Sequence, residues 1–279
     1  MDAYRMFMEI RDGIDEQVAS HWTDREILQK LNGNQRRYWT KLAQVPGDWL
    51  GTSASVTAVA SVITLPSACA KPLYLEDSSG YEVPIRGTVR EKRLTDPTGL
   101  SLESPGLIAY PLGNTLVINT EGDSGTYTLW YVGRYRDLTL GVAGASSGAA
   151  ALHLEAGMMP RIENDYYNDA LVRTYATATY APKLEDTITD YAGSTLVATV
   201  TGAPASTDLY GTVSQLPEEA HMPMVWETIV DCLSKPSAAI DPKYFQFALA
   251  RLKEHLKDWE FWISSRVPGS GRVRRTEID

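Results

Sequence analysis

The hydrophobic period of this sequence changes twice, and that change limits the fold more than any other feature. Apolar residues recur at helical spacing near both ends and alternate with polar residues in between. A 3.6-residue stripe must be covered along one side, whereas a period of two builds strands with one buried face. The expectation is an α+β chain: helical hairpins at both termini forming one helical domain, with two inserted antiparallel β-domains.

At the N-terminal end, Ala3, Phe7, Ile10 and Ile14 share a stripe, so residues 2–18 read as a helix. A second helix starts at Thr23, with Glu26 three residues on. That is a capping box, in which each side chain satisfies an orphan backbone donor. Trp22 and Ile27 have the spacing of a hydrophobic staple. Ile27, Leu31, Tyr38 and Leu42 carry the apolar face towards Pro46-Gly47, where the run ends.

Helical spacing returns after Pro217, where residues 218–234 point Met224, Val225, Ile229 and Leu233 inward. Asp241-Pro242 reads as an N-cap followed by proline at the first helical position. The last helix carries Phe245, Ala248, Leu249, Leu252, Leu256, Trp259 and Ile263 as a core stripe. Phe247 and Phe261 fall on its opposite side, with Tyr244 and Trp262 on a flank. Aromatic residues all round one helix call for a second covered face, so these four are candidate subunit-interface residues. Burial under the β-domains is the alternative.

From Thr52 to about Leu140 the period is two. Val56–Leu65 is rich in β-branched residues. Leu73-Tyr74-Leu75 and Glu82-Val83-Pro84-Ile85 flank a turn at Asp77–Gly80, and strands at Thr115–Asn119 and Thr126–Val132 are joined by Glu121–Gly125. The small-residue run Gly141–Ala151 reads as a flexible linker. A second β-unit follows, its clearest piece a hairpin of Asp186–Tyr191 and Thr195–Val200 around Ala192-Gly193-Ser194. The division is then 1–50 with 216–266, 51–140, the linker 141–151, 152–215, and an irregular tail 267–279 with Arg272, Arg274 and Arg275.

The motifs of catalysis are thin. Gly122-Asp123-Ser124-Gly125 matches the stretch that carries the nucleophile in chymotrypsin-like proteases, but the only upstream histidine is His21, in a helical region. The same residues suit a tight turn. His21, His153, His221 and His255 show no zinc-ligand spacing, and Glu163, Asp165 and Asp169 match no EF-hand. No phosphate-cradling loop or dinucleotide fingerprint is present. The expectation is a protein that is not an enzyme and takes no cofactor or metal.

Composition excludes further classes. A formal charge of −9 argues against a general nucleic-acid binder, whose phosphate contacts need clustered Lys and Arg. The longest apolar run, Ala54–Leu65, is too short to span a bilayer, no secretory signal is visible, and no membrane partner is expected. Cys69 and Cys232 read as separate reduced thiols.

The layout of two helices, a β-insertion and two closing helices resembles the head-to-tail adaptors (connector or neck proteins) of tailed bacteriophages. The residues that carry the resemblance are Trp22–Asn32 with Gln35-Arg36-Arg37, Ile63–Pro66, Tyr110–Leu116, Tyr127–Tyr131 and Leu216–Pro223. Asp165–Asn168 and Ile188–Ser194 look like a small β-module that recurs in phage structural proteins.

The resemblance implies a structural protein of the virion, located at the head-tail junction and assembled in the host cytoplasm. It implies a homo-oligomeric ring of about twelve copies beneath the portal protein. The ring extends the DNA channel and attaches tail or nozzle proteins, and DNA is only passing cargo. Arg272, Arg274 and Arg275 then belong to a docking arm for the portal. The competing expectation is a tail or baseplate protein whose β-modules bind a partner or a glycan. A hydrolase built on Ser124 or on an acidic pair ranks third.

Overall fold

The computed structural model describes residues 1–15, 21–45, 50–87, 107–120, 122–234 and 242–266. In chain order the elements begin with helices α1 (Ala3–Gly13) and α2 (Asp24–Gln44). Strands β1 (Gly51–Thr57), β2 (Val62–Thr64), β3 (Cys69–Glu76), β4 (Glu82–Pro84), β5 (Ala109–Leu112), β6 (Thr115–Ile118) and β7 (Thr126–Gly133) follow. Next come β8 (Leu140–Val142), β9 (Ala151–His153), β10 (Leu171–Tyr175), β11 (Pro182–Thr187), β12 (Asp190–Ala192), β13 (Val197–Thr199) and β14 (Leu209–Thr212). Helices α3 (His221–Leu233) and α4 (Pro242–Arg266) close the chain. The fold is α+β, with the terminal helices packed together and four small antiparallel sheets inserted between them.

Contacts divide the chain into two compact units. One is Asp48–Tyr135; the other joins Met1–Gly47 to Arg136–Asp279.

The Asp48–Tyr135 unit holds the sheets β1-β7-β3-β4 and β2-β6-β5. Ile63, Leu75, Leu116, Ile118 and Leu129 lie in its core. One strand expectation shifts here. The run Val56–Leu65 is broken after β1, because Ala60 and Ser61 take positive φ and turn the chain into β2. The strands expected at Thr115–Asn119 and Thr126–Val132 form as β6 and β7, in different sheets, since β6 joins β2 and β5 while β7 joins β1 and β3. The turn at Asp77–Gly80 forms between β3 and β4, where the Asp77 carboxylate accepts from the backbone N–H of Ser79 and Tyr81.

In the other unit, α3 packs against α1, α2 and α4. Helix α2 starts with the expected capping box, since Thr23 Oγ1 accepts from the Glu26 N–H at 3.2 Å and Glu26 Oε2 accepts from the Thr23 N–H at 3.0 Å. Trp22 and Ile27 are both buried. Helix α1 is shorter than the expected 2–18 and ends at Gly13; residues 16–18 lie outside the described residues.

The second β-region is built into this same unit. Its sheets are β11-β10-β14-β8 and β12-β13-β9. Asp2 caps α1 through the Arg5 N–H and also accepts from the Tyr175 hydroxyl of β10 at 2.6 Å. At Gly211 of β14 an added Cβ would lie 2.5 Å from the backbone nitrogen of Tyr4, so only glycine lets the start of α1 sit there. Asn32 of α2 pairs with Leu138 through both its amide groups, at 3.0 and 2.7 Å.

Gly141–Ala151 is therefore not a flexible linker. Leu140–Val142 pairs with β14, Gly148 bridges Ala151, and Ala143 is buried in the core. Small residues are needed because the strands and loops approach closely: a Cβ at Gly141 would lie 2.5 Å from the Glu155 carboxylate. The hairpin exists as β12 with β13, pairing Tyr191 with Ala198, but its turn spans Gly193–Leu196. Asp186 and Thr187 belong to β11, so the chain changes sheets between them and β12.

Candidate interaction surface

The residues singled out on the last helix lie on α4, which runs for 25 residues. At 1.5 Å per residue such a helix spans roughly 37 Å. Pro242 is its first residue, as proline's missing N–H and fixed φ favour; Asp241 lies outside the described residues.

The expected core stripe is only partly covered. Ala248 and Trp259 are fully buried, but Phe245, Leu249, Leu252, Leu256 and Ile263 are half-buried. These half-buried residues and Trp259 recur at alternating spacings of four and three, the pattern of a helix seam that packs against another helix. The seam was visible in the sequence; its incomplete coverage was not.

The four candidate interface residues separate into two groups. Phe247 is 47% exposed and Phe261 is 74% exposed. Tyr244 is half-buried and its hydroxyl donates to the Gly13 carbonyl. Trp262 is half-buried and stacks on Trp259, with ring centroids 5.2 Å apart and planes at 12°. Trp259 in turn meets Tyr38 of α2 at 5.9 Å. Tyr244 and Trp262 thus help to hold α4 in place, and Phe247 and Phe261 present apolar surface outward.

Trp226 of α3 is the aromatic residue that sequence reasoning missed. Phe247 meets it edge-on at 6.0 Å, and His255 stacks on it at 6.4 Å. Its place on α3 between the inward Met224 and Ile229 gave it no distinguishing pattern; only the crossing of α3 and α4 brings it under Phe247. Arg251 lies over the outer part of the same group, 5.5 Å from the Phe247 ring. The arrangement is an apolar ridge bordered by charge, suited to protein contact. Arg272, Arg274 and Arg275 lie outside the described residues.

The motifs weighed for catalysis sit in turns. Asp123 accepts from the Gly125 N–H at 3.1 Å and from the Tyr127 hydroxyl at 2.6 Å, so its carboxylate braces the loop that presents Ser124 to solvent. The Tyr127 phenol is pushed up to about 12 by burial and by that carboxylate. All four histidines belong to the other unit.

Asp165 and Asp169 take left-handed backbone conformations in a turn. The Asp165 N–H donates to the Tyr191 carbonyl at 2.9 Å, and the Asn164 side chain accepts from the Gly193 N–H at 2.9 Å. The two stretches read as one β-module therefore meet. Among the described residues, no group of three or more His, Cys, Asp or Glu side chains is placed to hold a metal ion, and no helix is long and apolar enough to cross a membrane.

No protein-family model and no curated protein matches this chain.

Proposed function

We propose that the chain is a structural head-to-tail adaptor of a tailed-phage virion, acting without catalysis as a ring subunit beneath the portal. In this role it extends the DNA channel and attaches tail proteins. The observation that carries the reading is the state of α4. A long helix that completes the helical layer keeps a half-open apolar seam and two outward phenylalanines, Phe247 and Phe261. A heterologous interface repeated about an axis would cover such surfaces and close a ring.

The order of elements also supports the reading. Helices from the two ends of the chain pack together, with the β-regions inserted between them. The net charge of −9 suits a passage that DNA crosses without adhering.

Electron microscopy of the purified chain, alone and mixed with a tailed-phage portal protein, tests the assignment. Rings stacked on the portal are the expected result. A chain that ignores the portal but joins tail components would transfer the assignment to a tail or baseplate role. Binding to neither would end the adaptor reading.

A further inference from the structure

On the unit that contains the helices, α2 and the loop after the short 3-10 helix Ala156–Met158 enclose a groove of ≈ 530 Å³. Leu28, Met158, Met159, Pro160 and Ile162 supply its apolar lining. Two of these are held outward, Met159 at 58% and Ile162 at 78% exposure. Met159 also takes a left-handed backbone conformation, φ 50° and ψ 57°, which L-residues with a bulky side chain seldom adopt.

Gly33 lies on the same groove, in the middle of α2. Glycine is the poorest helix former after proline, so a mid-helix glycine calls for a reason. At Gly193, Gly202 and Gly211 the chain itself supplies one, since an added Cβ would strike other atoms at 2.1, 2.5 and 2.5 Å. At Gly33 a Cβ would meet nothing within 4 Å. What glycine does there is leave the helix surface low along the groove, where another stretch of chain can lie against it.

Charge indicates what that stretch carries. Arg161 Nε donates to Asp137 at 2.6 Å, and an Arg36 guanidinium nitrogen lies 3.8 Å from the same carboxylate. Their side chains are 44% and 60% exposed, while that of Asp137 is 15% exposed. An incoming segment meets two exposed guanidiniums beside an apolar trough, which fits an aliphatic side chain flanked by carboxylates. In this sequence Ile278 is the one Val, Ile, Leu or Met with an acidic residue on each side, Glu277 and Asp279. These three lie outside the described residues.

We propose that the groove receives Glu277-Ile278-Asp279 of this chain. The aliphatic side chain of Ile278 matches the apolar lining from Met158, Met159 and Ile162, and its flanking carboxylates match the charge of Arg36 and Arg161. The inference does not depend on the virion assignment, because both groove and segment belong to the free chain.

Photo-cross-linking of the full chain, without portal, tests it. With p-benzoylphenylalanine in place of Thr276, irradiation should link that position to Met158 or Met159, within one chain or between two. Gly33→Leu should fill the groove and cut the yield by about fivefold, the scale of one blocked aliphatic contact, while thermal melting stays unchanged or rises. Arg36→Glu with Arg161→Glu should also cut the yield, and Glu277→Arg with Asp279→Arg should restore it. Cross-links confined to other sites, or a yield indifferent to Gly33→Leu, would overturn the proposal. If the charge reversals unfold the unit, the Gly33→Leu result decides alone.

Discussion

His221 is buried at the start of α3, where its Nε2–H donates to the Leu216 carbonyl at 3.1 Å and its Nδ1 accepts from the Met1 amino group at 2.6 Å. Burial, helped by that amino group and opposed by the Leu216 carbonyl, lowers its pKa from 6.5 to about 4. In the unfolded chain the imidazole binds a proton below the ordinary value, and in the folded chain it resists one until the lowered value. The histidine therefore leaves stability intact above pH 6.5 and erodes it as pH falls towards 4. Over that window the loss amounts to about 3 kcal/mol, at ~1.4 kcal/mol per pKa unit. Urea unfolding of the wild-type chain should show this fall, and His221→Gln should flatten it. An unchanged slope in the variant would assign the acid sensitivity to other groups. The sequence marked His221 as one of four unclustered histidines and as part of Leu216–Pro223, and neither reading foretold its burial, since burial is not a property of a residue type.

Helix α4 allows a sharper statement about individual aromatics than its periodicity did. The sequence put Phe247 and Phe261 opposite the core stripe and Tyr244 and Trp262 on its flank, and grouped all four as one interface; packing gives the two pairs different roles. Trp262 stacks on the fully buried Trp259, so Trp262→Ala should lower stability by about 1–3 kcal/mol, and Trp259→Ala by about 3–5 kcal/mol. Phe261→Ser, on an exposed position, should change stability by about 0.5 kcal/mol or less, and Phe247→Ser by about 1 kcal/mol, because that ring also meets Trp226. The serine pair should instead weaken self-association, read by sedimentation velocity beside a melt of the same samples. If the pair melts the chain and leaves association intact, those rings belong to the core. Periodicity gives the direction in which a side chain leaves its own helix; whether anything lies in that direction depends on α2 and α3, which are distant in sequence.

Across the whole molecule, the division into two units sets how it unfolds. Asp48–Tyr135 has its own core around Leu129, and the helices share the other unit with the second β-region. Calorimetry should therefore show two transitions, of which Leu129→Ala lowers one by an amount equivalent to about 2–5 kcal/mol. A single transition that moves as a whole would show the units to be one cooperative body. Removal of residues 267–279 should leave both transitions in place and abolish co-sedimentation with portal rings. Retained co-sedimentation would remove the docking role from Arg272, Arg274 and Arg275.

The sequence by itself determined what local interactions determine. The Thr23–Glu26 capping box, the start of α4 at Pro242, the Asp77–Gly80 turn and the switch from helical to alternating period all involve residues within a few positions of one another. Their backbone preferences are strong enough to act before the chain is compact. Tertiary structure decided the rest. It broke the Val56–Leu65 run at Ala60-Ser61, placed β6 and β7 in different sheets, and turned the Gly141–Ala151 run from a linker into paired strands and turns. It joined the second β-region to the helices through contacts such as Asp2 with Tyr175 and Asn32 with Leu138. Those partners are separated by 173 and 106 positions, and no local pattern encodes which distant group will satisfy a buried carboxylate or amide.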